Sequence, residues 1–200
     1  MAVVVPVYFD YASALCFIAW RIGLRLEAEL AVVMQWRPVH IAAQYPGWTA
    51  GRRIDDDARA RIARVSVETG VSLRIPACWP ESRAALEGSV FARERDRLAL
   101  YHDAVFAAAY ERGEDIGDRA VLVRAAREAG LPLGDFMEAI ATRRGAAELA
   151  ATLDEARQRG VVGYPTFMLG EFPLTGIQTY DTMQRLMLRH LERHGERLLH

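Results

Sequence analysis

The sequence predicts an α/β fold split by a large all-helical block. Three observations carry this reading. The first 40 residues run apolar strand, helix, strand. From Asp55 to about Gln158 the apolar periodicity is helical. After Gly160 two short strand-like segments precede a last helix.

Each element has its own signal. "VVVPVYFD" is β-branched and aromatic and reads as a buried strand. Pro6 has no N–H to give a ladder, so the strand either starts late or is uncovered there. Apolar residues at helical spacing predict a helix from about Ser13 to Leu30. "VVMQWRPV" predicts a second strand, Val32 to Val39, stopped by Pro38. "QYPGWTAGRR" reads as loop. "IDDDARARIARVSVETG" opens with carboxylates suited to a helix N-terminus. "PESRAALEGSVFARERDRLALYHDAVFAAAYERG" holds one or two helices. "DRAVLVRAAREAGLP" ends on Gly130 and Pro132, a helix stop. "LGDFMEAIATRR" and "AAELAATLDEARQRG" complete the block. "VVGYPTFML" predicts a loop and a strand, "EFPLTG" a short strand between turns, and "TYDTMQRLMLRHLERHGERL" a helix with an arginine-rich face.

Bulk properties exclude several classes. With 200 residues, 52% of them hydrophobic, the chain can bury a substantial core. The net charge of -1 does not suit a nucleic-acid or membrane-surface binder. Every basic side chain outside histidine is arginine. No apolar run is long enough to cross a bilayer. The apolar start lacks a basic segment and a cleavage site, so a cytoplasmic protein is expected. Two cysteines, Cys16 and Cys78, are too few for a disulfide scaffold.

Two local motifs concentrate the chemistry. Ser13-Ala14-Leu15-Cys16 sits where the first strand turns into the first helix. A helix N-terminus presents free N–H groups and a positive dipole end, which lowers the pKa of a thiol placed there. Ser13 also reads as a plain N-cap, and Cys16, a turn inside, as buried packing. The second motif is "GVVGYPTF", Gly160 to Phe167. A proline after a bulky residue and before a strand suits a cis peptide at Tyr164–Pro165.

With these motifs in place, the chain resembles the DsbA-like family of the thioredoxin superfamily over nearly its full length. It is most similar to the FrnE-type branch, through "YFDYASALCF", "QWRPV", "SRAALEGSVFARE", "YHDAVFAAAYERGEDIGD", "EARQRGVVGYPTF" and "LTGIQTYDTM". The 2-hydroxychromene-2-carboxylate isomerases and kappa-class glutathione transferases form a related branch, sharing the "FD…S" opening and the "WRP" segment. The resemblance implies a thioredoxin-like domain of residues 1–44 and 156–200, with residues 45–155 as the helical insertion. In oxidoreductases of the family both Ser13 and Cys16 positions are cysteine, so an S-x-x-C turn cannot form their disulfide. In the isomerase and kappa branch the first position is serine, and its implied role is to hydrogen-bond the thiolate of bound glutathione.

The resemblance therefore implies Ser13 and Cys16 as catalytic residues. Tyr11, Tyr164, Pro165, Gln178 and Thr179 are implied around a bound thiol. Gln178-Thr179 stand where the glutathione-binding branch has a Ser-Asp pair, with Asp181 close by. Cys78 is the candidate redox partner of Cys16. Glutathione is the implied cosubstrate, a small molecule the substrate, and a homodimer the implied assembly. Two alternatives stand beside a thiol-dependent isomerase or transferase: a monothiol-disulfide oxidoreductase using Cys16, and a non-catalytic peptide-binding module. His40 is a candidate for the cleft and His102 for helix packing. His190 and His194, four apart, lack further ligands nearby, and no metal is expected. Tyr8, Tyr11, Trp36, Trp48 and Trp79 suit either a cleft or the core.

Overall fold

The computed structural model describes residues 2–45 and 47–198. Strand β1, Val3–Phe9, runs parallel to β2, Val32–Pro38, in register from Val3 opposite Val32 to Phe9 opposite Pro38. Helix α1, Ala14–Glu29, makes the crossover. β3, Thr166–Leu169, adds antiparallel to the other edge of β1, and β4, Phe172–Thr175, pairs with β3. The sheet order is β2-β1-β3-β4. β3 pairs with β1 only at Val7 and Tyr8, which leaves Pro6 without a partner on that side. The second half of β1 is apolar at successive positions, Val7, Tyr8 and Phe9, because the central strand is covered there on both faces, whereas Val4 near its start is exposed.

The insertion is helical, as its periodicity predicts. A four-residue helix α2, Ile41–Gln44, precedes it. Then come α3, Asp56–Thr69; α4, Arg83–Arg93; and α5, Leu98–Ala107, which runs into a π-helical turn, Ala108–Arg112. α6, Arg119–Glu128; α7, Leu133–Ala141; and α8, Ala146–Gln158 follow. Among the described residues, strand pairing in this span is confined to one isolated bridge, Arg53 with Cys78. The carboxylate signal acts as read: Asp55 caps α3 by accepting the Ala58 N–H at 2.8 Å. Asp118 caps α6 by accepting from Ala120 at 2.8 Å. Gly70 and Gly130 end α3 and α6 in left-handed conformations, at φ 69° and 70°, that glycine adopts without strain. α9, Tyr180–Leu198, closes the chain and buries Met183 and Met187.

α1 lies between the sheet and the insertion. Trp20 packs its ring 5.4 Å from that of Trp36 on β2, while its indole N–H donates to Asp103 of α5 at 2.7 Å. Phe17 stacks on Tyr110 at 5.5 Å. This double-sided packing holds the N-terminal end of α1 in place from two layers, which is what a site at that end requires.

Candidate functional site

Ser13 occupies the N-cap position of α1, yet its side chain makes no capping bond. Instead its hydroxyl donates to the Tyr164 carbonyl, 3.3 Å away. The Tyr164–Pro165 peptide is cis, and this loop faces the start of α1. The carbonyl of Ser13 accepts the Cys16 N–H at 2.9 Å. Among the described residues, no hydrogen bond claims the N–H groups of Ala14 and Leu15. Ser13, Ala14 and Leu15 all line a cleft of about 570 Å³, inside the size range of small-molecule sites.

A ring of hydrogen bonds frames this cleft. Asp10, at the end of β1, is wholly buried. Its carboxylate accepts the Ala12 N–H at 2.8 Å and the Ile41 N–H at 2.7 Å, which joins the turn before α1 to the start of α2. Burial pushes the Asp10 pKa up, and these two N–H groups oppose the rise. From α2, Gln44 accepts the Tyr164 hydroxyl and donates to the Val161 carbonyl at 3.1 Å. Tyr45 donates to the Val162 carbonyl at 2.7 Å. The loop so held presents the Tyr164 carbonyl to Ser13. Tyr164 is itself buried, which raises its hydroxyl pKa well above the usual phenol. Pro165 is buried beside it.

Cys16 lies behind the cleft. It is fully buried, and burial pushes its thiol pKa up to about 12, against a lowering pull from the Asp10 backbone and the Ser13 side chain. It is therefore a neutral thiol at pH 7. Cys78 is exposed, and both cysteines are free.

Of the expected ligand-side residues Tyr164 lines the cleft, whereas Pro165, Tyr11, Gln178 and Thr179 are not in its wall. Tyr11 is a correction: its ring packs edge-on against Phe9 at 5.2 Å and Phe106 at 4.8 Å, and its hydroxyl meets His102 Nδ1 at 2.8 Å. It is wholly buried because the aromatic cluster of the insertion closes over the end of β1. Gln178 and Thr179 are exposed and lie outside the cleft lining. Thr179 instead opens α9, its carbonyl accepting the Met183 N–H at 3.0 Å. Of the five candidate cleft aromatics, Tyr8, Tyr11 and Trp36 are core, whereas Trp48 and Trp79 line the cleft with ring centroids 6.1 Å apart. His40 turns toward Glu81, its Nε2 3.8 Å from the carboxylate. His102 is buried, which lowers its pKa to about 3. Among the described residues no group of three or more His, Cys, Asp or Glu side chains is placed to hold a metal ion, and no helix is long and apolar enough to cross a membrane.

Sequence reasoning missed Asp10, Gln44, Tyr45, Asp57 and Arg61. Asp10 carried a signal, a carboxylate ending an apolar strand one turn before Ser13. The others come from a helix too short for periodicity and from the surface of α3, and they reach the cleft only through tertiary packing.

The architecture has known counterparts. The chain is 25% identical over 193 residues to the uncharacterized protein YwbO of Bacillus subtilis (strain 168), covering 92% of this chain and 96% of that one. It superposes on a 2-hydroxychromene-2-carboxylate isomerase with a TM-score of 0.79 and 20% identity, over 98% of each chain. It superposes on the cytosolic disulfide reductase DsbM from Pseudomonas aeruginosa, solved with GSH, with a TM-score of 0.68 and 19% identity. That match covers 95% of this chain and 100% of DsbM. At these identities the two structures speak for the fold alone. The sequence match is broader: the DSBA-like thioredoxin domain pattern extends over residues 4–187, from β1 through the Ser13 turn and the Tyr164–Pro165 loop into α9. The chain belongs to the DsbA-like thioredoxin domain family.

Proposed function

We propose that this protein is a thiol-dependent enzyme in which Ser13 and the start of α1 hold the thiolate of a small cosubstrate of the glutathione type. The reaction is isomerisation or transfer on a second small molecule held against the aromatic wall of the cleft. The observation that carries this reading is the Ser13 hydroxyl, which sits in the N-cap position without capping. Two unclaimed N–H groups, of Ala14 and Leu15, open on the same cleft. A sulfur anion placed there gains three donors and the positive end of a 16-residue helix.

Each group has a separate task. The hydroxyl and N–H groups stabilise the thiolate, which lowers the pKa of the ligand's thiol and raises the fraction able to attack. Tyr164, through its carbonyl, orients the Ser13 hydroxyl before ligand arrives. The ring formed by Asp10, Gln44 and Tyr45 keeps that carbonyl in place. Trp48 and Trp79 offer ring faces to the second substrate.

A monothiol redox role for Cys16 has less support. Its thiol is buried and neutral, so it is neither accessible nor nucleophilic at pH 7. The neighbours include a disulfide reductase solved with GSH and an isomerase, which is consistent with a thiol site on this fold. The test is calorimetric titration of the wild-type protein and Ser13→Ala with glutathione, with thiol trapping of the native protein in parallel. Saturable binding that Ser13→Ala weakens, with Cys16 unlabelled, supports the reading. Rapid labelling of Cys16 in the native protein would move the chemistry to that residue.

A further inference from the structure

Asp57 and Arg61 are the charged side chains of the cleft. The rest of its described lining is apolar, aromatic or uncharged. Both stand on α3, one helical turn apart, a spacing at which opposite charges usually meet. They are not paired with each other, and among the described residues neither side chain makes a hydrogen bond or ion pair. Nearby, Asp55 caps α3, Arg52 faces Asp55 at 3.7 Å, and Arg59 donates to the Pro76 carbonyl at 2.9 Å, while the exposed Asp56, Arg64 and Glu68 of α3, which lie outside the cleft lining, are unpaired like Asp57 and Arg61 among the described residues. Asp57 is thus not needed for the cap, and Arg61 has no structural anion.

A pair of opposite, unspent charges beside a thiolate site matches the two charges of an amino-acid group. The residues expected for this task, Gln178 and Thr179, are exposed and are not among those lining the cleft. We propose that Asp57 and Arg61 bind the zwitterionic amino-acid end of the thiol ligand, Arg61 taking its carboxylate and Asp57 its ammonium. The helical insertion then selects the ligand, while the thioredoxin-like part holds its sulfur. This assignment rests on the thiol-binding reading of Ser13.

The experiment is a binding cycle by calorimetry. Glutathione and N-acetylglutathione, which lacks the ammonium charge, are titrated into the wild type, Asp57→Asn, Arg61→Gln and Ser13→Ala. Thermal melts check that each variant is folded; positions 57 and 61 are exposed, so melts close to wild type are expected. Arg61→Gln should weaken glutathione about tenfold, the size of one hydrogen bond to a charged group. N-acetylation should weaken binding to the wild type by a similar factor and leave binding to Asp57→Asn nearly unchanged. Equal glutathione affinity in wild type, Asp57→Asn and Arg61→Gln, with a loss in Ser13→Ala, overturns the subsite and leaves the thiol site standing. An equal penalty for N-acetylation in wild type and Asp57→Asn also overturns the pairing with Asp57. Absence of glutathione binding to the wild type removes both readings together.

Discussion

Replacing Ser13 with alanine separates ligand chemistry from helix capping, because the hydroxyl does no capping. A capping serine lost to alanine costs about 1 kcal/mol. Here the hydroxyl gives up one neutral bond to Tyr164, at 3.3 Å, so the expected loss is about 0.5 kcal/mol. For a chain of this size that lowers Tm by roughly 1–2 °C. A hydrogen bond to a thiolate is worth more, about 1.5–3 kcal/mol, because one partner is charged. Glutathione affinity above the thiol pKa should therefore fall roughly 10- to 150-fold. The pKa of the bound thiol should rise, since the anion loses a donor while the neutral form loses little. Guanidinium denaturation gives the stability term, calorimetry the affinity, and thiolate absorbance the pKa. A stability loss of about 1–2 kcal/mol with affinity and thiol pKa unchanged would mean that Ser13 is a cap, and the thiolate reading would fail.

Other perturbations test separate parts of the argument. In a native protein a thiol reagent should label Cys78 and spare Cys16, with both reacting after unfolding; fast labelling of two thiols would contradict the burial of Cys16. Ser13→Cys should form a disulfide with Cys16, one turn on, and catalyse insulin reduction, whereas the wild type should not; equal rates would shift redox chemistry to Cys16 and Cys78. Buried neutral His102 has a folded pKa of about 3 against about 6.5 unfolded, so the unfolded state binds the proton first and stability falls as pH drops from 6.5 toward 3. Between pH 7 and 5 this contributes a loss of about 2 kcal/mol, and the pH slope of His102→Gln should be shallower by that amount; identical slopes would refute it.

The fold was legible where the chain pattern is long. The β1–α1–β2 unit shows an apolar run, a 3.6-residue period and a second β-branched run, and each element forms where its pattern puts it, although Val4 and Val33 stay exposed. The insertion showed itself through Asp55, Gly130 and similar punctuation. Of the candidate site, the placement of Ser13 opposite the cis Tyr164–Pro165 loop was legible, because a strand-to-helix turn and a proline loop are local features. Its walls were not. Asp57 and Arg61 look like any solvated charges on an exposed helix, and Trp48 and Trp36 look alike in sequence though one lines the cleft and the other the core. Tyr11 illustrates the difficulty: it is two residues from Ser13, yet His102 and Phe106, some 90 residues on, decide where its ring goes.

The buried sulfur of Cys16 bears on the proposed binding of a ligand's thiolate at this turn. The start of α1 offers a limited positive field, and an anion already there would repel a second. Were Cys16 ionised, its sulfur would occupy that field and oppose any incoming thiolate. Burial prevents this by holding its thiol near pKa 12, so Cys16 adds no anion at the start of α1, which faces the cleft with a hydroxyl and two free N–H groups. Serine in place of cysteine at position 13 has the same effect, since its hydroxyl stays neutral at any accessible pH. A cysteine there would itself become the thiolate and attack a disulfide covalently. On the proposed reading a single atom at position 13 separates two chemistries on one scaffold: with sulfur the helix end stabilises the protein's own nucleophile, and with oxygen it is free to stabilise the ligand's.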